Sequence, residues 1–266
     1  MKTTLKRELT PAVKHAVERL YAVFSGYRAP AHFLDVCLMC CMDESLEKEM
    51  RRLSLRQISA QHFYEYNSSA KSESQPIEEI KYLLPRMLEL LADGAEVHHS
   101  RELYLDRLGN CEVGAFSDEE HEAIAAFALA YFSDSVSQHL WQTKEGYSHE
   151  TAFELLLMFD IGGLDLQPLL DYWLKDEATA STLHYVSSGF YDFWKDKRIE
   201  NAFAKDRPLF QEVIKAWLTD KDNRRVFARR ILGLEMNKLD QTAICYYGSR
   251  ITPQEMAETV FDLIAD

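Results

Sequence analysis

Apolar side chains in this sequence recur at about the 3.6-residue period of an α-helix, and the breaks fall at residues that cap or stop helices. Val13, Ala16, Val17, Leu20 and Phe24 form the first stripe. Thr10 is placed as its N-cap, Pro11 fits the first turn, and Gly26 stops it. An irregular stretch over 27–36 follows. Asp43 then suits the cap of a short helix through Leu53, and Ser59 opens another that carries Phe63 and Tyr66. The polar run 67–76 reads as a loop. The cleanest stripe is Ile77, Ile80, Leu84, Met87, Leu88 and Leu91, ended by Gly94. Pro85 within it is expected to kink or restart the helix, because proline lacks a backbone donor and crowds the preceding turn.

A shorter helix is expected over 100–108. Ser117 and Glu120 have capping-box spacing and open a long helix to about 141. Ser148 is expected to cap the next, whose residues 153–159 are apolar nearly all round, the pattern of a central helix ended by Gly162-Gly163. Further segments cover 167–175, 177–187 and 190–196. Pro208 starts a helix with the stripe Phe210, Val213, Ile214, Trp217 and Leu218, and two more are expected over 223–232 and 237–246. The last repeats the punctuation of the first: Thr252, Pro253, then Met256, Val260, Leu263 and Ile264.

These elements predict an all-α protein, an antiparallel helical array built as a bundle or irregular solenoid of about a dozen helices, with no strand pattern. No fixed-period repeat is present. The chain reads as one helical domain over 1–266, with lobes 1–110 and 115–266 meeting at the loop around 109–114. Ten Gly and seven Pro are few for 266 residues, which also argues against a turn-rich β fold. The charged N-terminal residues lack the apolar core of a secretion signal, and no apolar run reaches the ~18 residues of a membrane span. With five cysteines, three of them crowded at 37, 40 and 41, the chain does not read as a disulfide framework, and a reducing cytoplasm is the expected location.

Charge changes the picture most. Of the formal net charge of −13, residues 101–200 contribute −12, with nineteen acidic against seven basic side chains. Between Leu108 and Leu174 there are twelve acids and one base, Lys144. A field this one-sided repels nucleic acids and anionic membranes and attracts a basic protein. The candidate contact residues are Glu112, Asp118, Glu119, Glu122, Asp134, Glu145, Glu150, Asp165 and Asp171, chosen because no Lys or Arg nearby in sequence neutralises them.

Other chemistry is sparse. Cys37-Leu-Met-Cys40-Cys41 has the spacing of half a zinc site, with Cys111, Cys245 or His98-His99 as distant completing ligands. The preferred reading is that these cysteines are small packing residues under the core. Asp118-Glu-Glu-His121 meets the di-iron spacing loosely and has no second copy, so no metal and no cofactor is expected. His98-His99 reads as a solvated turn. Arg224, Arg225, Arg229 and Arg230 cluster on one late helix, and internal pairing with the acidic middle is the preferred account. There is no nucleophile elbow, phosphate loop, dinucleotide fingerprint or His-Glu-x-x-His.

Two runs carry a resemblance. Glu79-Ile-Lys-Tyr-Leu-Leu-Pro-Arg-Met-Leu-Glu-Leu90, and Arg198-Ile-Glu-Asn-Ala-Phe203 followed by Arg207-Pro208 and Trp217-Leu218, resemble an uncharacterised group of helical bacterial proteins, as does the cysteine cluster near 40. That group includes apparent immunity proteins of polymorphic toxins, among them those of contact-dependent growth inhibition. The resemblance brings no catalytic residues. With the charge, it implies a non-enzymatic cytoplasmic immunity protein (an antitoxin) that binds a basic toxin, such as a nuclease domain. The alternative is a small helical metal-binding protein using Cys37, Cys40 and Cys41.

Overall fold

The computed structural model describes residues 9–138, 151–194, 197–199, 201–238, 244–246 and 249–265. It is an all-α array. In chain order the α-helices are α1 (Pro11–Val23), α2 (Glu44–Arg52), α3 (Ala60–Ser68), α4 (Ile77–Ala92), α5 (Asp106–Gly109), α6 (Asp118–Val136), α7 (Ala152–Ile161), α8 (Gln167–Lys175), α9 (Thr179–Gly189), α10 (Pro208–Thr219), α11 (Lys221–Leu232) and α12 (Pro253–Ile264).

The chain forms two compact units. The first comprises Met1–Asp134 and Met158–Asp165, the second Ser135–Leu157 and Leu166–Asp266. Two of the three boundaries fall inside α6 and α7 and the third just before α8, and the loop around 109–114 lies within the first unit.

In the first unit α4 is the central element. Eleven of its residues are buried, and α1 and α3 pack on it, with α2 against α3. Its stripe is the expected one, but the helix runs unbroken through a buried Pro85 rather than restarting there. Thr10 caps α1 through its side chain, and Asp43 accepts from the first backbone N–H groups of α2. The segment expected as one helix over 100–108 is a 3-10 turn, Arg101–Leu103, followed by the single turn of α5. At Gly109 a close approach decides the residue: a Cβ there would sit 1.7 Å from the Ile161 carbonyl oxygen. Gly163, with φ +78°, lets the chain leave α7 in a left-handed turn closed to other residues without strain.

In the second unit α11 lies against α8, α9, α10 and α12, and α12 also packs on α9. The core is aromatic. Trp173 stacks on Trp217 at 5.2 Å between ring centroids, Tyr185 stacks on Phe227 at 3.7 Å, and Phe153 meets Trp173 edge-on at 6.1 Å. Helix α9 is buried from Ala180 to Gly189 and continues into one π-helical turn, Phe190–Trp194. Helix α7 is buried along almost its full length, as its all-round apolar sequence requires. Its start is closed by Thr151 and Glu154, which exchange reciprocal hydrogen bonds at 3.1 and 3.0 Å. Ser148, expected as that cap, lies outside the described residues, as does the expected end of α6 near 141.

The α-helix expected over 237–246 is not formed by the described residues of that segment. A 3-10 turn, Met236–Lys238, and a two-stranded antiparallel ribbon, Ile244–Tyr246 with Ser249–Ile251, take its place. The run Ile-Cys-Tyr is rich in side chains that fit a pleated surface, and that local preference prevails over a weak helical period.

Candidate functional site

Four of the acidic candidates fall on one continuous stretch of the first unit. Glu112 lies in the loop before α6, Asp118 and Glu119 in its first turn, and Glu122 one turn further on; all four are exposed. The start of α6 is fixed by its capping box: Glu120 accepts from the Ser117 N–H at 2.8 Å, and Ser117 Oγ accepts from the Glu120 N–H at 3.3 Å. Acids in this turn also face the positive end of the helix dipole. Helical phase then separates their roles. Glu120 turns inward, while Asp118, Glu119 and Glu122 remain at the surface.

The other candidates differ. Asp134 is buried, with 3% of its surface exposed, because the apolar phase of α6 carries it inward with Tyr131, Phe132 and Val136; it is not a surface contact. Glu122 has a basic partner that sequence proximity concealed: Arg19 of α1 donates to it at 3.3 Å across an exposed pair. Asp165 is exposed after the Gly162-Gly163 turn in the first unit, and Asp171, half-buried on α8 of the second, accepts from Gln167 at 2.7 Å. Glu145 and Glu150 lie outside the described residues.

Beneath this surface the first unit holds a buried ionic network that the periodicity did not single out. Lys81 of α4 pairs with Glu120 at 2.9 Å and donates to the Tyr27 hydroxyl at 3.0 Å; that hydroxyl donates to Glu120 at 2.5 Å. The tie sets the α6 start on α4. Burial opposes the Glu120 charge, but the Tyr27 and Lys81 hydrogen bonds outweigh it and hold its pKa below the usual carboxylate value.

A second cluster surrounds Glu79 and Arg107, both buried. Arg107 donates to the carbonyls of Asp35 at 2.9 Å and Tyr66 at 2.7 Å, and to Gln75 at 3.2 Å, and lies over the Tyr66 ring at 3.9 Å. Glu79 accepts from the Tyr66 hydroxyl at 2.8 Å and from the Asp35 N–H at 3.2 Å. Its pKa is raised, chiefly by burial. The signal for Glu79 and Lys81 was present in sequence: both stand in phase with the apolar residues of α4, where a charge needs a partner.

These ties hold the irregular stretch from which the cysteines project. Glu47, fully buried, accepts from the Leu34 N–H at 2.9 Å, and Ser69 Oγ accepts from the Cys37 N–H at 2.9 Å. The Cys37 carbonyl then accepts from the N–H groups of Cys41 and Met42 at 3.2 and 3.1 Å, closing a turn between the buried anchors Leu34 and Met42. The side chains within that turn face outward, so the cysteines do not pack under the core: Cys40 is exposed, and Cys37 and Cys41 are half-buried. Their sulfurs converge, at 3.5 Å for Cys37–Cys40 and 3.4 Å for Cys40–Cys41, with all three within 4.8 Å. The Met39 backbone and Cys40 donate to Cys37 and lower its pKa, while hydrogen bonds to Cys41 and Cys37 push the Cys40 thiol up to about 11.

The distant ligands considered for this cluster do other work. Cys111 donates to the Arg107 carbonyl at 3.4 Å, and burial pushes its thiol up to about 11. The side chain of Cys245 is outside the described residues. His98 is not solvated: it is buried at 7% exposure, accepts from the Ser100 N–H at 3.2 Å, and has its pKa lowered to about 4 by burial and by neighbouring His99 and Lys71. His99 beside it is exposed.

The arginines of α11 also depart from expectation. Arg230 donates to the Trp173 and Leu174 carbonyls at the end of α8, at 3.3 and 2.5 Å, with Asp176 and Glu177 close enough to act on its charge. Arg225 pairs with Asp222 on its own helix at 2.9 Å. Among the described residues, Arg230 thus serves the end of a helix and Arg225 a local pair.

No helix among the described residues is long and apolar enough to cross a membrane. Comparison with protein-family models, with curated proteins and with solved structures gives no match to this chain.

Proposed function

We propose that this protein is a non-enzymatic, cytoplasmic immunity protein that binds and neutralises a basic protein toxin, such as a nuclease domain, through its acidic helical surface. The observation that carries the reading is the exposed run Glu112, Asp118, Glu119 and Glu122, within the hundred residues that hold −12 of the net charge. A nuclease binds phosphates with a cationic surface, and carboxylates on a rigid capped helix can occupy that surface in their place. Complementary fields speed encounter and reject partners of the wrong sign. Speed suits this role, because a toxin that acts before it is bound does its damage first. The sequence resemblance to apparent immunity proteins points the same way.

Co-expression tests the reading. Cells producing a basic nuclease toxin encoded beside this gene should survive when the protein is present. Reversing Glu112, Asp118 and Glu119 to Lys together should remove protection while the helical spectrum is retained. Protection that survives the triple reversal would remove the acidic surface from the account.

A further inference from the structure

Independently of the acidic surface and of the toxin reading, we infer that Cys37, Cys40 and Cys41 form a three-thiolate site for a thiophilic d10 metal ion, zinc(II) or copper(I). A tetrahedral ion with metal–sulfur bonds of about 2.3 Å places its sulfurs about 3.8 Å apart. The sulfurs here stand 3.5 and 3.4 Å apart in the two closest pairs, and the whole set fits within 4.8 Å. An ion entering the cluster therefore needs shifts of a few tenths of an ångström in the two closest pairs and of at most about 1 Å in the third. All three thiols are free, and among the described residues they are the one group of three metal-ligating side chains whose donor atoms converge.

The backbone that presents them is prepared for the task. The Cys37 carbonyl accepts from both Cys41 and Met42, the Cys37 N–H is held by Ser69, and Leu34 and Met42 anchor the turn on either side. A turn held this way loses little conformational freedom when a ligand binds. The cluster opens to solvent at Cys40, which leaves a coordination position for water or an external donor on zinc(II), or a three-coordinate copper(I). Binding replaces three S–H protons with the metal and releases them to solvent.

The experiment uses the full chain, reduced and stripped of metal. It is titrated with zinc(II) against a chromogenic chelator, and in a separate arm with copper(I). Unshielded thiols are then counted with a chromogenic disulfide reagent, and cobalt(II) is added as a spectroscopic substitute for zinc. One ion per chain, three thiols shielded and a thiolate-to-cobalt charge-transfer band are expected. The arm that binds in stoichiometric amount identifies the ion. Cys40→Ser should lose stoichiometric binding and the charge-transfer band, while Cys111→Ser keeps both. Cys40 is exposed, so its replacement leaves the core alone, and the thiol count on the unmodified protein needs no variant. Neither ion bound at one per chain, two or fewer thiols shielded, or full binding by Cys40→Ser would each overturn the site.

Discussion

Arg107 joins three separate stretches of the first unit, since its guanidinium serves carbonyls of Asp35 and Tyr66 and the side chain of Gln75 at 2% exposure. Breaking a buried charged network by removing one partner leaves the others desolvated and unpaired. Arg107→Leu should therefore lower unfolding free energy by about 3–5 kcal/mol in a urea titration. A loss under 1 kcal/mol would mean that water replaces the guanidinium. His98 gives a pH test. Its folded pKa of about 4 lies below the ordinary histidine value near 6.5, so the unfolded chain binds the extra proton between them. Its contribution is complete above pH 6.5 and is lost as pH falls through about 4. Relative to the wild type, His98→Asn should flatten the stability decline between those limits by at most about 3 kcal/mol. The comparison must be by difference, because Glu79, whose pKa is raised, acts with the opposite sign as pH rises. Identical slopes in the two proteins would show that His98 does not titrate this way. Neither role was visible from sequence, because the partners of Arg107 lie 32 to 72 residues away in the chain and burial of His98 depends on tertiary packing.

At the scale of elements the sequence was most legible where a capping residue and a long apolar stripe coincide. Thr10, Asp43, Ser117 and Thr252 all cap the helices expected of them, and the α4 and α10 stripes are buried except at Ile77, which is half-buried at the start of α4, and Val213, which is exposed on α10. Legibility failed where the segment was short. The ribbon near 244–251 carries three residues per strand, too few for a period to decide between helix and strand. Thr151-x-x-Glu154 has the same capping-box spacing as Ser117-x-x-Glu120, and it closes the start of α7. The cysteine turn departs from the expected packing for a different reason. Its exposure follows from hydrogen bonds to Glu47 and Ser69, which no local pattern announces. Packing of elements makes its own prediction at Gly109, where any Cβ would overlap the Ile161 carbonyl. Gly109→Ala should cost about 1–3 kcal/mol or more, read as a lower denaturant midpoint, despite alanine's better helix propensity. A neutral or stabilising alanine would show that the α5 turn can move away from that carbonyl.

For the whole molecule the decisive property is the placement of charge. The sequence shows where along the chain the acids lie, and folding sorts them: Asp118 and Glu119 outward, Glu120 to Lys81, Asp134 into the interior, Glu122 to Arg19. What remains at the surface near the start of α6 is smaller than the sequence suggested, but it is rigidly held. Steering by such a patch is a rate effect that salt screens, as the Debye length shrinks from roughly 30 Å at 0.01 M to about 10 Å at 0.1 M. Single reversals change too little to decide, so matched sets are needed. The most direct measurement is the association rate with the basic toxin domain at low and moderate salt. It would be made for the wild type, for the reversal of Glu112, Asp118 and Glu119 to Lys, and for a control reversing the exposed Glu212, Glu258 and Asp262 of the second unit. The account predicts a wild-type rate that falls steeply with salt, a first variant that associates at least about tenfold more slowly at low salt, and a control close to wild type. Equal slowing in both variants, or none in the first, would contradict recognition through the acidic run.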